Sequence, residues 1–82
     1  MKIIFSKHSE EQNLKRKISK EFVKMCLKNP DRVERDKRDK ELLHYIKFIK
    51  GKFLRVIIKK HEESLFIITY FFDRRLRKGG RK

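Results

Sequence analysis

Three histidines, one cysteine, two tyrosines and a large surplus of arginine and lysine are the residues of this chain able to do chemistry. His8, His44 and His61 are scattered and, with Cys26, show no zinc-ligand spacing, and neither a Gly-rich phosphate loop nor an EF-hand loop is present. Glu62 and Glu63 adjoin each other at a turn, a poor arrangement for paired acid and base work. No metal and no cofactor are expected. Cys26 cannot form an intramolecular disulfide and lies among Phe22, Val23 and Leu27 in a helical pattern, so it reads as a packed thiol. What remains is charge: 25 lysines and arginines against 11 acidic residues give a net charge of +14. Such an excess destabilises the folded chain by self-repulsion, and it points to a polyanionic partner, nucleic acid above all. Heat adaptation would multiply charges of both signs without producing so large an imbalance.

The elements that must position these groups are legible in outline. With 82 residues the chain has room for one domain with a thin core. Lys2 to Phe5 reads as a short strand followed by Ser6, a helix cap, and residues 7–17 as a mostly wet helix with Ser9 and Gln12 at capping-box spacing. Ser19 caps a second helix, with Ile18 and Val23 at hydrophobic-staple positions, and Phe22, Val23, Cys26 and Leu27 recur on its buried stripe until Asn29 and Pro30 stop it. A short strand around Val33, a charged turn or loop from Lys37 to Glu41, and strands near residues 42–49, 53–60 and 65–72 follow. The expected fold is α+β, of order β-α-α-β-β-β-β, with two N-terminal helices packed on a curled antiparallel sheet. Residues 1–72 form the domain, and residues 73–82 form a basic, flexible tail. The apolar run from Met1 to Phe5 is too short for a signal peptide or a membrane span, so no membrane partner and a reducing, cytoplasmic setting are expected.

Register decides which residues share a face. If Lys50-Gly51-Lys52 is a three-residue loop, Ile49 meets Phe53 and Lys47 meets Arg55; His44, Ile46, Phe48, Leu54, Val56 and Ile58 then lie beneath the second helix. A two-residue turn at Glu62-Glu63 brings Tyr70 opposite Arg55. The outer face would then carry Tyr45, Lys47, Arg55, Lys59 and Tyr70, a basic and partly aromatic surface suited to RNA phosphates and unstacked bases.

The segments Phe5-Ser6-Lys7-His8-Ser9, Lys15-Arg16-Lys17-Ile18-Ser19, Asn29-Pro30-Asp31 and Phe53-Leu54-Arg55-Val56-Ile57 together resemble the domain-of-unknown-function family numbered 4258. The resemblance implies the barnase, colicin and RelE-like ribonuclease fold, shared with toxins such as BrnT, and with it metal-independent cleavage of RNA. It sets the family's first-helix histidine on His8, the arginine before the second helix on Arg16 and the strand arginine on Arg55. The chain departs in having Ser9 where alanine is usual and in its basic end from Arg74 to Lys82.

Cutting RNA without a metal needs a base near the 2′-hydroxyl, cations for the crowded phosphate and an acid for the departing 5′-oxygen. His8, as base or acid, Arg55, for phosphate charge, and Tyr70, as a stacking or proton-donating group, are the candidate catalytic residues. Arg16, Tyr45, Lys47, Lys59, Arg74, Arg75, Arg77 and Lys78 are the candidate nucleic-acid contacts. The expected function is a RelE- or BrnT-like ribonuclease, the toxin of a toxin and antitoxin pair, neutralised by an acidic antitoxin protein. The alternative is a noncatalytic module in which the same cations bind RNA or DNA.

Overall fold

Two serine caps set the N-terminal third of the molecule. The computed structural model describes residues 2–76, apart from the side chains of residues 14–16. After strand β1 (Lys2–Phe5), Ser6 caps helix α1 (Lys7–Arg16), its hydroxyl accepting the Ser9 N–H. The cap is thus Ser6, and Ser9 lies one turn inside the helix. Its hydroxyl donates back to the Ser6 carbonyl at 2.8 Å, and only a small side chain fits there because Ser9 is wholly buried. Lys17 then takes a left-handed conformation, and the Asn13 side-chain oxygen accepts the Ile18 N–H, turning the chain into helix α2 (Lys20–Lys28). Ser19 caps α2, and Ile18 and Val23 are both buried, as a hydrophobic staple requires.

Strands β2 (Arg32–Arg35), β3 (Leu42–Ile49), β4 (Lys52–His61) and β5 (Ser64–Phe72) complete the chain. The sheet runs β1-β5-β4-β3-β2. Successive strands from β2 to β5 pair antiparallel, whereas β1 runs parallel to β5. The sheet is therefore mixed, not wholly antiparallel: hairpins fix only neighbours in sequence, and β1 reaches its partner across nearly the whole chain. Both helices pack on one face, where Val23, Cys26 and Leu27 meet Leu54, Val56, Ile58, Ile67 and Tyr70.

The register differs from the sequence expectation at two places, each with a physical cause. The β3–β4 loop has two residues, Lys50 at φ 51° and Gly51 at φ 79°, with Ile49 opposite Lys52 and Ile46 opposite Arg55. Positive φ at both positions is the hairpin geometry whose twist matches the flanking strands. This one-residue slip turns β3 over, so Tyr45 and Lys47 face the helices while His44, Ile46 and Phe48 face away. The β4–β5 turn does join His61 to Ser64 around Glu62 and Glu63, but a bulge follows, in which Ile58 meets Ile67 and Ile57 meets Thr69, leaving Ile68 as the extra residue. The bulge sends Tyr70 to the helix face opposite Val56 and places Phe71 opposite Arg55. Ser6 pins it, donating its hydroxyl to the Ile68 carbonyl and its N–H to the Ile67 carbonyl.

Residues 73–76, assigned to the tail by composition, turn back on the sheet. Asp73 donates its N–H to the Phe53 carbonyl, prolonging the β4–β5 ladder by one residue, and its side chain is buried.

Candidate functional site

The face without helices carries a hydrogen-bonded chain of polar and charged side chains centred on Arg55. Cross-strand diagonals put it there: Arg55 stands opposite Ile46 on β3 and Phe71 on β5, and the next residues on the same face are His44 and Asp73. The Arg55 guanidinium donates from Nε to Asp73 Oδ2 at 2.8 Å and from Nη1 to His44 Nδ1 at 2.7 Å. On the far side of the ring, His44 Nε2 lies 2.7 Å from Asp36 Oδ1. An arginine can only donate, so Nδ1 accepts and Nε2 carries the proton that Asp36 receives as a hydrogen bond. The order is Asp36, His44, Arg55, Asp73, with Arg75 closing the end through its backbone N–H and Nε on Asp73 Oδ1.

The cluster is shielded but not sealed: the side chains of Arg55 and Asp73 are 11% and 3% exposed, those of His44 and Asp36 15% and 21%. Burial alone would raise the Asp73 carboxyl, but the Arg75 backbone and side chain and the Arg55 guanidinium outweigh it, leaving the carboxyl below its ordinary value. The Asp36 carboxyl is also lowered, first by the Asp39 N–H, then by His44 and the Arg38 N–H. Those backbone bonds fold the segment between β2 and β3 into a turn built around Asp36 and Asp39, so the charged stretch is a defined loop.

An open cleft of about 650 Å³ lies over this cluster. His44, Arg55, Ile57 and Phe71 contribute to its lining, with Lys37, Arg38 and Arg75 from the two loops beside it. Phosphate and a planar base could both be met here, the first by the cations and the second by Phe71 and Ile57.

The sequence-selected residues divide between the two faces. Arg55 and Lys59 share the helix-free face, Lys59 being held by Glu41 at 2.9 Å, which raises its ammonium above the ordinary value. Tyr70 is on the other side, 1% exposed, edge-on to Phe5 with ring centroids 6.0 Å apart. Burial, and then the charge of Glu10, raises its phenol. Tyr45 packs against the same core. Lys47 also faces the helices and donates to the Asn29 carbonyl at the end of α2, a helix-capping contact. His8 is exposed near the start of α1, on the helix side, so His8, Arg55 and Tyr70 are not gathered into one site. Arg74 and Arg75 follow β5 and are exposed; the Arg16 side chain, Arg77 and Lys78 lie outside the described residues.

Sequence reasoning missed Asp36, His44 and Asp73. The available signal was the two-residue Lys50-Gly51 hairpin, which alone puts His44 diagonal to Arg55. Cys26 is a packed thiol: it has no exposed surface, donates to the Tyr45 carbonyl, and burial pushes it up to about 12. Among the described residues, no helix is long and apolar enough to cross a membrane.

A five-stranded mixed sheet with two helices on one face and an arginine-centred ion cluster on the other defines a small α+β domain. The chain belongs to the family described as Domain of unknown function (DUF4258), whose model matches residues 5–72. Searches of the curated proteins and of the solved structures found no match.

Proposed function

We propose that the chain binds single-stranded RNA across its helix-free sheet face and cleaves it without a metal, as the resemblance to RelE- and BrnT-like ribonuclease toxins suggests. The observation that carries this reading is the Asp36–His44–Arg55–Asp73 relay beneath a cleft where Arg35, Lys37, Arg38, Arg55 and Arg75 outnumber the carboxylates of Glu34, Asp36 and Asp73. A guanidinium has five N–H donors, and the bonds to Asp73 and His44 use two of them, so Arg55 can take a phosphate while Asp73 still anchors it. When the phosphate draws Nη1 away from His44, Nδ1 is released as an acceptor, and Asp36 keeps the ring in position through Nε2. His44 then removes the 2′-hydroxyl proton, the 2′-oxygen attacks phosphorus, and the 5′-oxygen leaves with a proton returned by the imidazolium or water. The products are a 2′,3′-cyclic phosphate and a 5′-hydroxyl end. In a toxin and antitoxin pair, an acidic antitoxin protein would neutralise the activity by covering the same cations.

The rival reading, noncatalytic binding of RNA or DNA, is supported by the occupancy of both His44 nitrogens. Incubating the protein with RNA in EDTA separates the two. Cleavage is expected, reduced about 10²–10⁴-fold by His44→Ala, the usual worth of a positioned acid or base, and much less by His8→Ala. Intact RNA that shifts in a steeply salt-dependent way would replace the enzyme with the binding module.

A further inference from the structure

A second cleft, of about 880 Å³, opens at the β3–β4 turn end of the sheet, bounded by Gly51 of that turn and Ile18 of the corner between the helices. It shares Phe71, Asp73 and Leu76 with the His44–Arg55 cleft, so the two are neighbours across the residue 73–76 turn. Its walls combine three cations, Lys17, Lys52 and Arg74, with Phe53 and Phe72. Phe53 is backed by Phe48 at 5.0 Å between ring centroids, and Lys52 Nζ stands 5.2 Å from the Phe72 ring centroid. The one carboxylate in the lining, Asp73, is already bonded to Arg55 and Arg75. Cations for phosphate beside aromatic rings for a base are the two components of single-strand binding sites.

We propose that this cleft holds a nucleotide adjoining the one at Arg55, its base against Phe53 and its phosphate on Lys17, Lys52 and Arg74. The inference rests on the proposed RNA reading of the first cleft and extends it from one nucleotide to a strand. An acidic peptide would satisfy the cations equally but leave the aromatic wall without a partner, so the bases carry the distinction.

The test compares a uridine mononucleotide with a 2′-O-methyl uridine tetranucleotide, which cannot form the cyclic phosphate, and with an otherwise abasic strand of equal length and charge that keeps one uracil for the first cleft. The wild-type protein should bind the tetranucleotide about tenfold more tightly than the abasic strand, the scale of one base stacked on an aromatic ring. Phe53→Leu combined with Lys52→Gln should remove that gain and leave mononucleotide affinity within about twofold. Equal affinity of wild-type protein for the tetranucleotide and the abasic strand would overturn the second cleft while leaving the first intact, and that comparison needs no folded variant. An acidic hexapeptide binding as tightly as the tetranucleotide would also overturn it. Failure of the mononucleotide to perturb the His44 ring signals would instead count against the first cleft.

Discussion

At the scale of single residues, Asp73 decides whether Arg55 can sit in the sheet at all. A guanidinium that is 11% exposed is tolerated because a carboxylate that is 3% exposed answers it at 2.8 Å. Asp73→Asn removes the nearer of two countercharges, Glu34 Oε1 standing 3.8 Å from Nη1, and should cost about 1–3 kcal/mol in urea unfolding at neutral pH, the range for a buried polar group that loses its partner. Both Asp73 and Asp36 have carboxyls held below their ordinary value. Their stabilisation is therefore complete above about pH 4 and is lost as the pH falls through the lower, folded-state values. The urea midpoint should drop on acidification below about pH 4, and Asp73→Asn should show a shallower drop. A parallel acid response in wild type and variant would remove Asp73 from the account. Arg55 was legible as a functional candidate because β4 alternation put it on the outer face and the resemblance set the family's strand arginine there. Its partners were not, because Asp36 and Asp73 look in sequence like ordinary members of charged runs.

At the scale of elements, strand positions were far easier to read than strand registers. Apolar periodicity marks where a strand lies, and the predicted spans of β3 and β5 differ from the observed ones by at most a residue. Register depends on turn geometry and bulges, which leave little trace in composition. Lys50 accepts a left-handed backbone at φ 51° where glycine would be usual, and this concealed the two-residue loop. Gly51 is different: at φ 79° with nothing near a would-be Cβ, Gly51→Ala meets only backbone strain and should cost about 1 kcal/mol in thermal or urea unfolding. The Ile68 bulge was hidden because β5 is apolar on both faces, so no alternation revealed the slip that buries Tyr70. Ser6→Ala should remove both the clasp on the Ile68 carbonyl and the α1 cap, lowering stability by about 1–2 kcal/mol. Unfolding at the wild-type midpoint would show that the bulge holds without it.

At the scale of the whole molecule, charge alone selects no face. Lys24 and Lys28 on α2 are exposed, and so are Lys37 and Arg38 beside the first cleft. What distinguishes the helix-free face is the conjunction of cations with an imidazole and aromatic rings over a fixed guanidinium. The charge balance therefore pointed to a polyanion, but the contacts read from the sequence fall on both sides of the sheet. The most direct measurement is RNA affinity at low salt for two variants of equal net charge, Lys37→Gln with Arg38→Gln and Lys24→Gln with Lys28→Gln. Neutralising the cleft pair should weaken binding about tenfold and flatten its salt dependence, whereas neutralising the helix pair should change it by about twofold. Equal losses from the two pairs, or a larger loss from the helix pair, would contradict an RNA site on the bare sheet.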